Sequence, residues 1–151
     1  MNDVTIRRAT KKDGASLLRL IDALAEYEKL KGPGPAARRR LLNDAFGKTR
    51  RFHVFLAFHD GVAVGYALYF FAYSSFLSLP SFYLEDLFVL PDCRKKKVGI
   101  GLFRACVAEA KRSGCGHMDW VVLDWNTNAI RFYKRLHARY MKEWLLYRIT
   151  L

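Results

Sequence analysis

Hydrophobic and polar positions alternate along the chain with two different periods. Short apolar runs bounded by turn residues predict six strands, over residues 4–8, 52–58, 62–73, 82–90, 117–123 and 144–150. Apolar residues three or four apart predict four helices, over residues 11–28, 35–46, 98–113 and 126–136. This order of elements predicts a mixed α/β sheet that is covered by helices on both faces.

Turn and cap residues separate these elements. Thr10 with Asp13 three residues later is typical of a helix start, and Pro35 is placed to begin the second helix. The sequence His59-Asp60-Gly61 predicts a tight hairpin turn between two strands. Residues 74–81, which include Pro80, are predicted to form a loop.

Length and composition restrict the class of protein. A chain of 151 residues with 52% hydrophobic and 15% aromatic residues forms one globular domain, residues 1–151, and is not disordered. No apolar run reaches the roughly 20 residues of a membrane helix, and the N-terminus lacks the apolar region of a signal peptide. Three cysteines without metal-ligand spacing indicate free thiols, no metal and a cytoplasmic location.

The formal net charge of +12 favours anionic partners, such as nucleic acid, an acidic lipid or a polyphosphate cofactor. The cations occur in short groups, most of which are typical of solvated loops and helix ends. Only the group at residues 94–97 lies in a turn that leads into glycines. No nucleic-acid-binding motif accompanies the charge, so we do not expect nucleic acid as the partner.

Residues 84–103 are the most informative stretch of the sequence. An acidic pair, Glu85-Asp86, lies in a hydrophobic strand that ends at Pro91. A basic turn follows and leads into an amphipathic helix, a layout that presents backbone N–H groups and cations to a phosphate. The segment therefore suits an enzyme that binds a phosphorylated cofactor next to a cationic substrate.

Several segments together resemble the Gcn5-related N-acetyltransferase (GNAT) superfamily, and within it the diamine (spermidine/spermine) and thialysine N-acetyltransferases. The resemblance covers nearly the whole chain and is carried by Leu24-Ala25 with Tyr27-Glu28, by residues 83–89, by Asp124-Trp125-Asn126 and by residues 132–135. It implies the GNAT fold, with a mixed and mostly antiparallel central sheet. It also implies acetyl-CoA as co-substrate and a homodimer paired through the C-terminal strands.

The resemblance assigns cofactor-binding residues. It implies that the turn and helix start bind the pyrophosphate of acetyl-CoA and that the preceding strand offers main-chain groups to the pantetheine amides. The residues are Arg94, Lys95, Lys96, Lys97, Val98 and Gly99 for the first role and Leu87, Phe88 and Val89 for the second. Asn126 is first of all a helix N-cap, and the resemblance adds a contact to pantetheine.

The resemblance also assigns catalytic and substrate-binding residues. Tyr133 is expected to protonate the leaving thiolate, although its place on an apolar stripe also fits a core tyrosine. Glu85 is expected to take a proton from the amine; otherwise it forms a salt bridge. Glu85 and Asp86 are neighbours on a strand, so both can line one pocket only if a bulge turns one of them. The implied substrate-binding residues are Tyr27, Glu28, Glu85 and Asp86.

Two positions depart from the family pattern. Its phosphate loop reads Arg/Gln-x-x-Gly-x-Gly/Ala, and in the ungapped register Lys97 replaces the first glycine. We expect Lys97 to keep a negative φ there, because a positive φ is costly for a residue with a side chain. A shifted register, Lys96-x-x-Gly99-x-Gly101, restores both glycines but adds two residues to the turn. His137 replaces a second glycine, and histidine can enter the left-handed conformation more easily than most residues but still at a cost.

The sequence therefore predicts an enzyme that transfers an acetyl group from acetyl-CoA to a primary amine in a ternary complex. The implied substrate is a small polyamine, diamine or lysine-like amine. Two alternatives remain open at this point. One is a protein-lysine acetyltransferase, and the other is a GNAT-fold protein that binds CoA with weakened or no turnover, which Lys97 and His137 would explain.

Overall fold

The computed structural model describes residues 4–151, which form five strands and four helices. The strands are β1 Val4–Arg8, β2 His53–His59, β3 Val62–Ser74, β4 Leu79–Val89 and β5 Met118–Asp119. The helices are α1 Gly14–Tyr27, α2 Pro35–Phe46, α3 Val98–Arg112 and α4 Thr127–Arg135, with single 3-10 turns at Lys11–Asp13 and Pro91–Cys93.

The chain forms two compact units that divide after Trp120. The first contains one sheet with strand order β1-β2-β3-β4-β5, in which neighbours are antiparallel except for the parallel pair β4 and β5. The predicted mixed, mostly antiparallel α/β sheet is therefore confirmed.

Both faces of the sheet are covered by helices. On one face Leu17 and Leu20 of α1 belong to a buried cluster with Leu56 and Tyr66 of the sheet. On the other face Leu102, Cys106 and other residues of α3 are buried in a cluster with Tyr69. These helical residues recur every three or four positions, so each helix turns one apolar stripe toward the sheet.

Local chemistry fixes the ends of several elements as the sequence predicts. The hairpin between β2 and β3 turns at Asp60 and Gly61, whose φ values of +51° and +78° are those of a tight turn that suits the twist of a hairpin. Before α1, the Asp13 carboxylate accepts a hydrogen bond from the backbone N–H of Thr10 at 2.7 Å. Gly114, with φ +73°, follows the end of α3.

Three of the predicted strands are wrong in their extent or are absent from residues 4–151. β4 begins at Leu79 and not at residue 82, because Pro80 needs no N–H partner and its carbonyl accepts from Gly116. β5 is restricted to Met118–Asp119, since it pairs with β4 at only two positions. The predicted strand 144–150 is not formed, and no other segment of residues 4–151 pairs with it. Its β-forming residues have no ladder to join.

The second compact unit, Val121–Leu151, contains α4. Asn126 caps this helix, and its side-chain oxygen accepts the backbone N–H of Ala129 at 3.3 Å. At the other end His137 has φ +60°, and its N–H donates to the carbonyl of Lys134. The predicted cap is confirmed, and His137 adopts the left-handed backbone of the glycine that it replaces.

Candidate active site

A β-bulge lies in the middle of β4. Leu68 of β3 pairs with Asp86 and Tyr69 pairs with Leu84, so Glu85 has no partner across the ladder. The bulge reverses which residues face which side: Leu84 and Val89 are buried on the α3 face, whereas Phe88 is buried on the α1 face. Two adjacent acidic residues of a strand can line one pocket only if a bulge turns one of them, and β4 contains this bulge.

Three carboxylates are close enough to influence one another around this bulge. Asp86 accepts a hydrogen bond from the hydroxyl of the fully buried Tyr66 at 3.0 Å. Burial raises the pKa of Asp86 to about 6, and the charges of Glu85 and Glu28 contribute to the rise against the Tyr66 hydrogen bond. Burial also raises the pKa of Glu28, which follows directly after α1.

The surroundings of these three carboxylates contrast with the strongly basic composition of the chain. No Lys, Arg or His nitrogen within residues 4–151 forms a salt bridge with Glu28, Glu85 or Asp86. The cluster therefore has a negative electrostatic potential that would attract an ammonium group. The charge of that group would lower the pKa values of the acids beside it.

Glu109 shows what pairing does to a buried carboxylate in this protein. Glu109 binds Arg8 at 2.7 Å and Arg112 at 2.6 Å, and these hydrogen bonds hold its pKa below the usual value although burial acts in the opposite direction. A cleft of about 570 Å³ lies beside it at the C-terminal end of α3. Because Glu109 is already neutralised, this cleft has no unpaired acid to offer a substrate.

The sheet opens beside the C-terminal half of β4. β5 pairs with β4 only at Phe82 and Tyr83, so within residues 4–151 no strand pairs with residues 84–89 on the side of β4 away from β3. A Cβ on Gly65 would lie 2.8 Å from the carbonyl oxygen of Phe88, so this carbonyl faces β3 and requires glycine there. The next carbonyl, that of Val89, faces the open edge, where it accepts a hydrogen bond from Nε of Arg94 at 3.0 Å.

The basic turn precedes α3 directly. Lys95, Lys96 and Lys97 are exposed, whereas Arg94 is half-buried. Since α3 begins at Val98, the backbone N–H groups of its first residues have no acceptor inside the helix and point out of its N-terminus. Exposed cations and unsatisfied N–H groups thus lie side by side, an arrangement suited to binding a phosphate.

The conformation of Lys97 corrects a prediction. We expected a negative φ, but Lys97 has φ +63° and Lys95 has φ +68°, so both occupy the left-handed region. The fold needs a left-handed residue directly before α3, and the lysine adopts the backbone that a glycine would take. Lys96 between them is not left-handed.

The remaining predicted residues lie in the second unit. Tyr133 is on the half-buried stripe of α4 that also includes Ala129 and Ile130 and that Leu136 continues directly after the helix. Its ring centroid is 5.4 Å from that of Phe132. The Asn126 side chain is engaged as the N-cap of the same helix. Both predicted functional residues of this unit therefore belong to one short helix, one as its N-cap and one in its second turn.

Sequence reasoning missed a row of aromatic contacts in the first unit. The Arg94 guanidinium lies 4.5 Å from the ring centroid of Tyr27, and the Tyr27 ring is 6.3 Å from that of Phe88. The ring centroid of Phe88 in turn lies 6.4 Å from that of Tyr66, whose hydroxyl donates a hydrogen bond to Asp86. No sequence signal identifies these pairs, because they join three elements distant in the chain.

Within residues 4–151, no three His, Cys, Asp or Glu side chains come together as a possible metal-binding group. No helix in the same range has the length and apolar character needed to cross a membrane.

Comparison with known proteins identifies the class. The model of the acetyltransferase (GNAT) family matches residues 17–138. The chain is 36% identical over 151 residues to a thialysine N-epsilon-acetyltransferase of Sus scrofa, covering 95% of this chain and 88% of the relative. It is 42% identical over 92 residues to an L-ornithine N5-acetyltransferase of Arabidopsis thaliana, covering 61% and 40% respectively.

A solved structure agrees in fold. An aminoglycoside N-acetyltransferase in complex with CoA superposes with a TM-score of 0.82 at 23% identity, covering 100% of this chain and 97% of the other. The fold, the family match and the relatives lead to one conclusion: the chain belongs to the GNAT acetyltransferase family. It is an N-acetyltransferase, and enzymes of this family use acetyl-CoA as the acetyl donor.

The left-handed Lys97 leads to a first prediction. Replacing Lys97 by glycine removes strain of about 1–2 kcal/mol, part of which is offset by the greater freedom of glycine in the unfolded chain. We therefore expect Lys97→Gly to raise the free energy of unfolding by about 0.5–1 kcal/mol in urea titrations. The matched control is Lys96→Gly, which relieves no left-handed strain and is expected to destabilise the protein. Equal losses for both variants would contradict the prediction.

The half-buried Asp86 leads to a second prediction, which concerns pH. Its pKa in the folded protein, about 6, lies above the ordinary value of 3.8, so the folded state binds the extra proton. The contribution of Asp86 to the free energy of unfolding therefore falls as pH rises from about 4 to about 6. We expect Asp86→Asn, which keeps an acceptor for Tyr66, to be about 2 kcal/mol more stable than wild type above pH 6 and no more stable at pH 4.

The control for this measurement is Glu26→Gln, which removes an exposed carboxylate from α1. It should change stability little at any pH in the same series of denaturant titrations. A constant difference between Asp86→Asn and wild type across the pH range would show that Asp86 ionises normally.

Proposed function

We propose that the protein transfers an acetyl group from acetyl-CoA to a primary amine of a small cationic substrate while both are bound in a ternary complex. The observation that carries this proposal is the cluster of Glu28, Glu85 and Asp86, which has no salt-bridge partner within residues 4–151 although the chain carries a net charge of +12. Relatives named for thialysine and L-ornithine support a lysine-like amine, and polyamines or diamines share its chemistry.

Acetyl-CoA fits the residues at the open edge of β4. Lys95, Lys96 and Lys97, with the N–H groups of Val98 and Gly99, would hold the pyrophosphate at the start of α3. The main chain of Leu87–Val89 would hydrogen-bond the pantetheine arm as an added strand does. Asn126 would contact pantetheine from the start of α4. The unsatisfied helix N-terminus and the open strand edge are the observations that support this fit.

The reaction needs a neutral amine and a protonated leaving group. An aliphatic ammonium group cannot attack until it loses a proton, and Glu85 is the proposed acceptor, directly or through water. The amine nitrogen then attacks the thioester carbonyl carbon, so a C–N bond forms, the C–S bond breaks and the nitrogen loses its second proton to water. The hydroxyl of Tyr133 would protonate the departing thiolate and regain a proton from water. Holding both substrates in line supplies the proximity.

The other acids would bind the substrate. Asp86 and Glu28, with Tyr27 beside Glu28, would hold the distal ammonium or α-amino group of the amine. An ammonium that binds Asp86 stabilises its ionised form and lowers its pKa, so substrate binding and ionisation support each other.

Two further proposals concern the whole chain. The family match runs from residue 17 to residue 138 and crosses the division after Trp120, which supports a single acetyltransferase domain. We also propose a cytoplasmic location, which the three free cysteines at positions 93, 106 and 115 support.

The role of Tyr133 can be tested by removing its hydroxyl. We expect Tyr133→Phe to lower kcat by about 100-fold or more, as removal of a general acid does, with nearly unchanged affinity for CoA. The assay measures thiol release from acetyl-CoA with spermidine, putrescine, lysine, ornithine and thialysine, and CoA affinity is measured by calorimetry.

Tyr140→Phe is the matched control, because Tyr140 is 86% exposed and has no assigned role. Unchanged rates in Tyr133→Phe would remove Tyr133 from the mechanism. Tight CoA binding by wild type with no turnover of any amine would instead indicate a CoA-binding protein.

We also propose a homodimer. Large apolar side chains at the end of the chain are exposed, among them Trp144 at 72%, Leu146 at 72% and Ile149 at 88%. Exposed apolar groups of this size are typical of a surface that is covered by a partner. Sedimentation velocity should give the mass of two chains, and Ile149→Arg should give that of one. A wild-type protein that sediments as one chain at all concentrations would refute the dimer.

A further inference from the structure

Arg94 differs from the other cations of its turn. It is half-buried, whereas Lys95, Lys96 and Lys97 are exposed. Its Nε donates to the carbonyl oxygen of Val89 at 3.0 Å, and its guanidinium carbon lies 4.5 Å from the ring centroid of Tyr27. The side chain is therefore directed back toward β4 and the end of α1.

From this geometry we infer that Arg94 is a positioning residue for the amine site. Arg94 holds Tyr27 against the end of β4, and the three lysines of the turn neutralise the charge of the phosphate. The inference rests on the proposed function, because it concerns two parts of the proposed site. It differs from the assignment suggested by the family pattern, in which Arg94 opens the phosphate loop.

The contacts of Arg94 explain why it acts on the amine site. Tyr27 is directly followed by Glu28, so fixing the Tyr27 ring also fixes the backbone that carries this carboxylate. The guanidinium also lies 5.8 Å from the ring centroid of Phe88, whose ring contacts Tyr66, the donor to Asp86. Arg94 thus supports both Glu28 and Asp86 through aromatic rings.

The chemistry of arginine and lysine supports these two different roles. A planar guanidinium can stack on an aromatic ring while it donates a hydrogen bond in its own plane, which an ammonium group cannot do. A lysine is a flexible point charge and a competent phosphate ligand. Three lysines in succession supply that charge without Arg94.

The experiment compares Arg94→Gln with Lys96→Gln, which removes one positive charge from the same turn. CoA affinity is measured by calorimetry, and KM is measured separately for acetyl-CoA and for the best amine of the panel. For Arg94→Gln we expect a rise of about fivefold or more in KM of the amine, as for the loss of a cation–π contact, and a CoA Kd within about twofold of wild type. Lys96→Gln should show the reverse pattern.

Arg94→Lys adds a test of the planar group. It keeps the charge but loses the stack and the Nε donor, so it should resemble Arg94→Gln in KM of the amine. Combined with Tyr27→Leu it should add little further effect, because both changes remove the same contact.

An Arg94→Gln variant that weakens CoA binding as much as Lys96→Gln does, with an unchanged KM for the amine, would overturn the inference. If wild type turns over no amine, the proposed function fails, and the CoA titrations alone then decide the role of Arg94. A wild-type protein that binds no CoA overturns both.

Discussion

The omission of Glu85 from the ladder between β3 and β4 is the constraint on which the rest of the site depends. Without this bulge Leu84, Asp86 and Phe88 would share one face of the sheet. With it, Leu84 faces α3 while Phe88 faces α1, and Asp86 reaches Tyr66. The hydrophobic cores on both faces of the sheet are filled. Glu85, the extra residue of the bulge, supplies a carboxylate that neither core has to bury.

The same region shows how local charge can oppose the charge of the whole chain. A net charge of +12 attracts polyphosphates, yet the acids around the bulge form no salt bridge within residues 4–151. The contrast with Glu109, which two arginines neutralise, shows that this fold can pair a buried acid when pairing is useful. Leaving Asp86 unpaired costs stability in the free protein and keeps the group available for a cationic ligand.

The elements that the sequence predicted well are those that local chemistry decides. The Asp60-Gly61 hairpin, the Asn126 cap and the apolar stripes of α1 and α3 depend on nearby residues and on a helical period. The C-terminal strand was wrong because a strand needs a partner that no local pattern can supply. The Arg94–Tyr27 stack was missed for a related reason, since the two residues are 67 positions apart in sequence. The candidate residues were proposed from family motifs, and the bulge beside Glu85 was foreseen only as a condition.

The left-handed lysines of the turn have a consequence for ligand binding. A glycine in this position samples many backbone conformations and must give them up when an anion binds. Lys95 and Lys97 have far fewer alternatives, so the folded chain has already ordered the loop before a ligand arrives. The turn therefore exchanges some strain in the free protein for a smaller entropy loss on association, and it acts as a preorganised receptor rather than a pliable one.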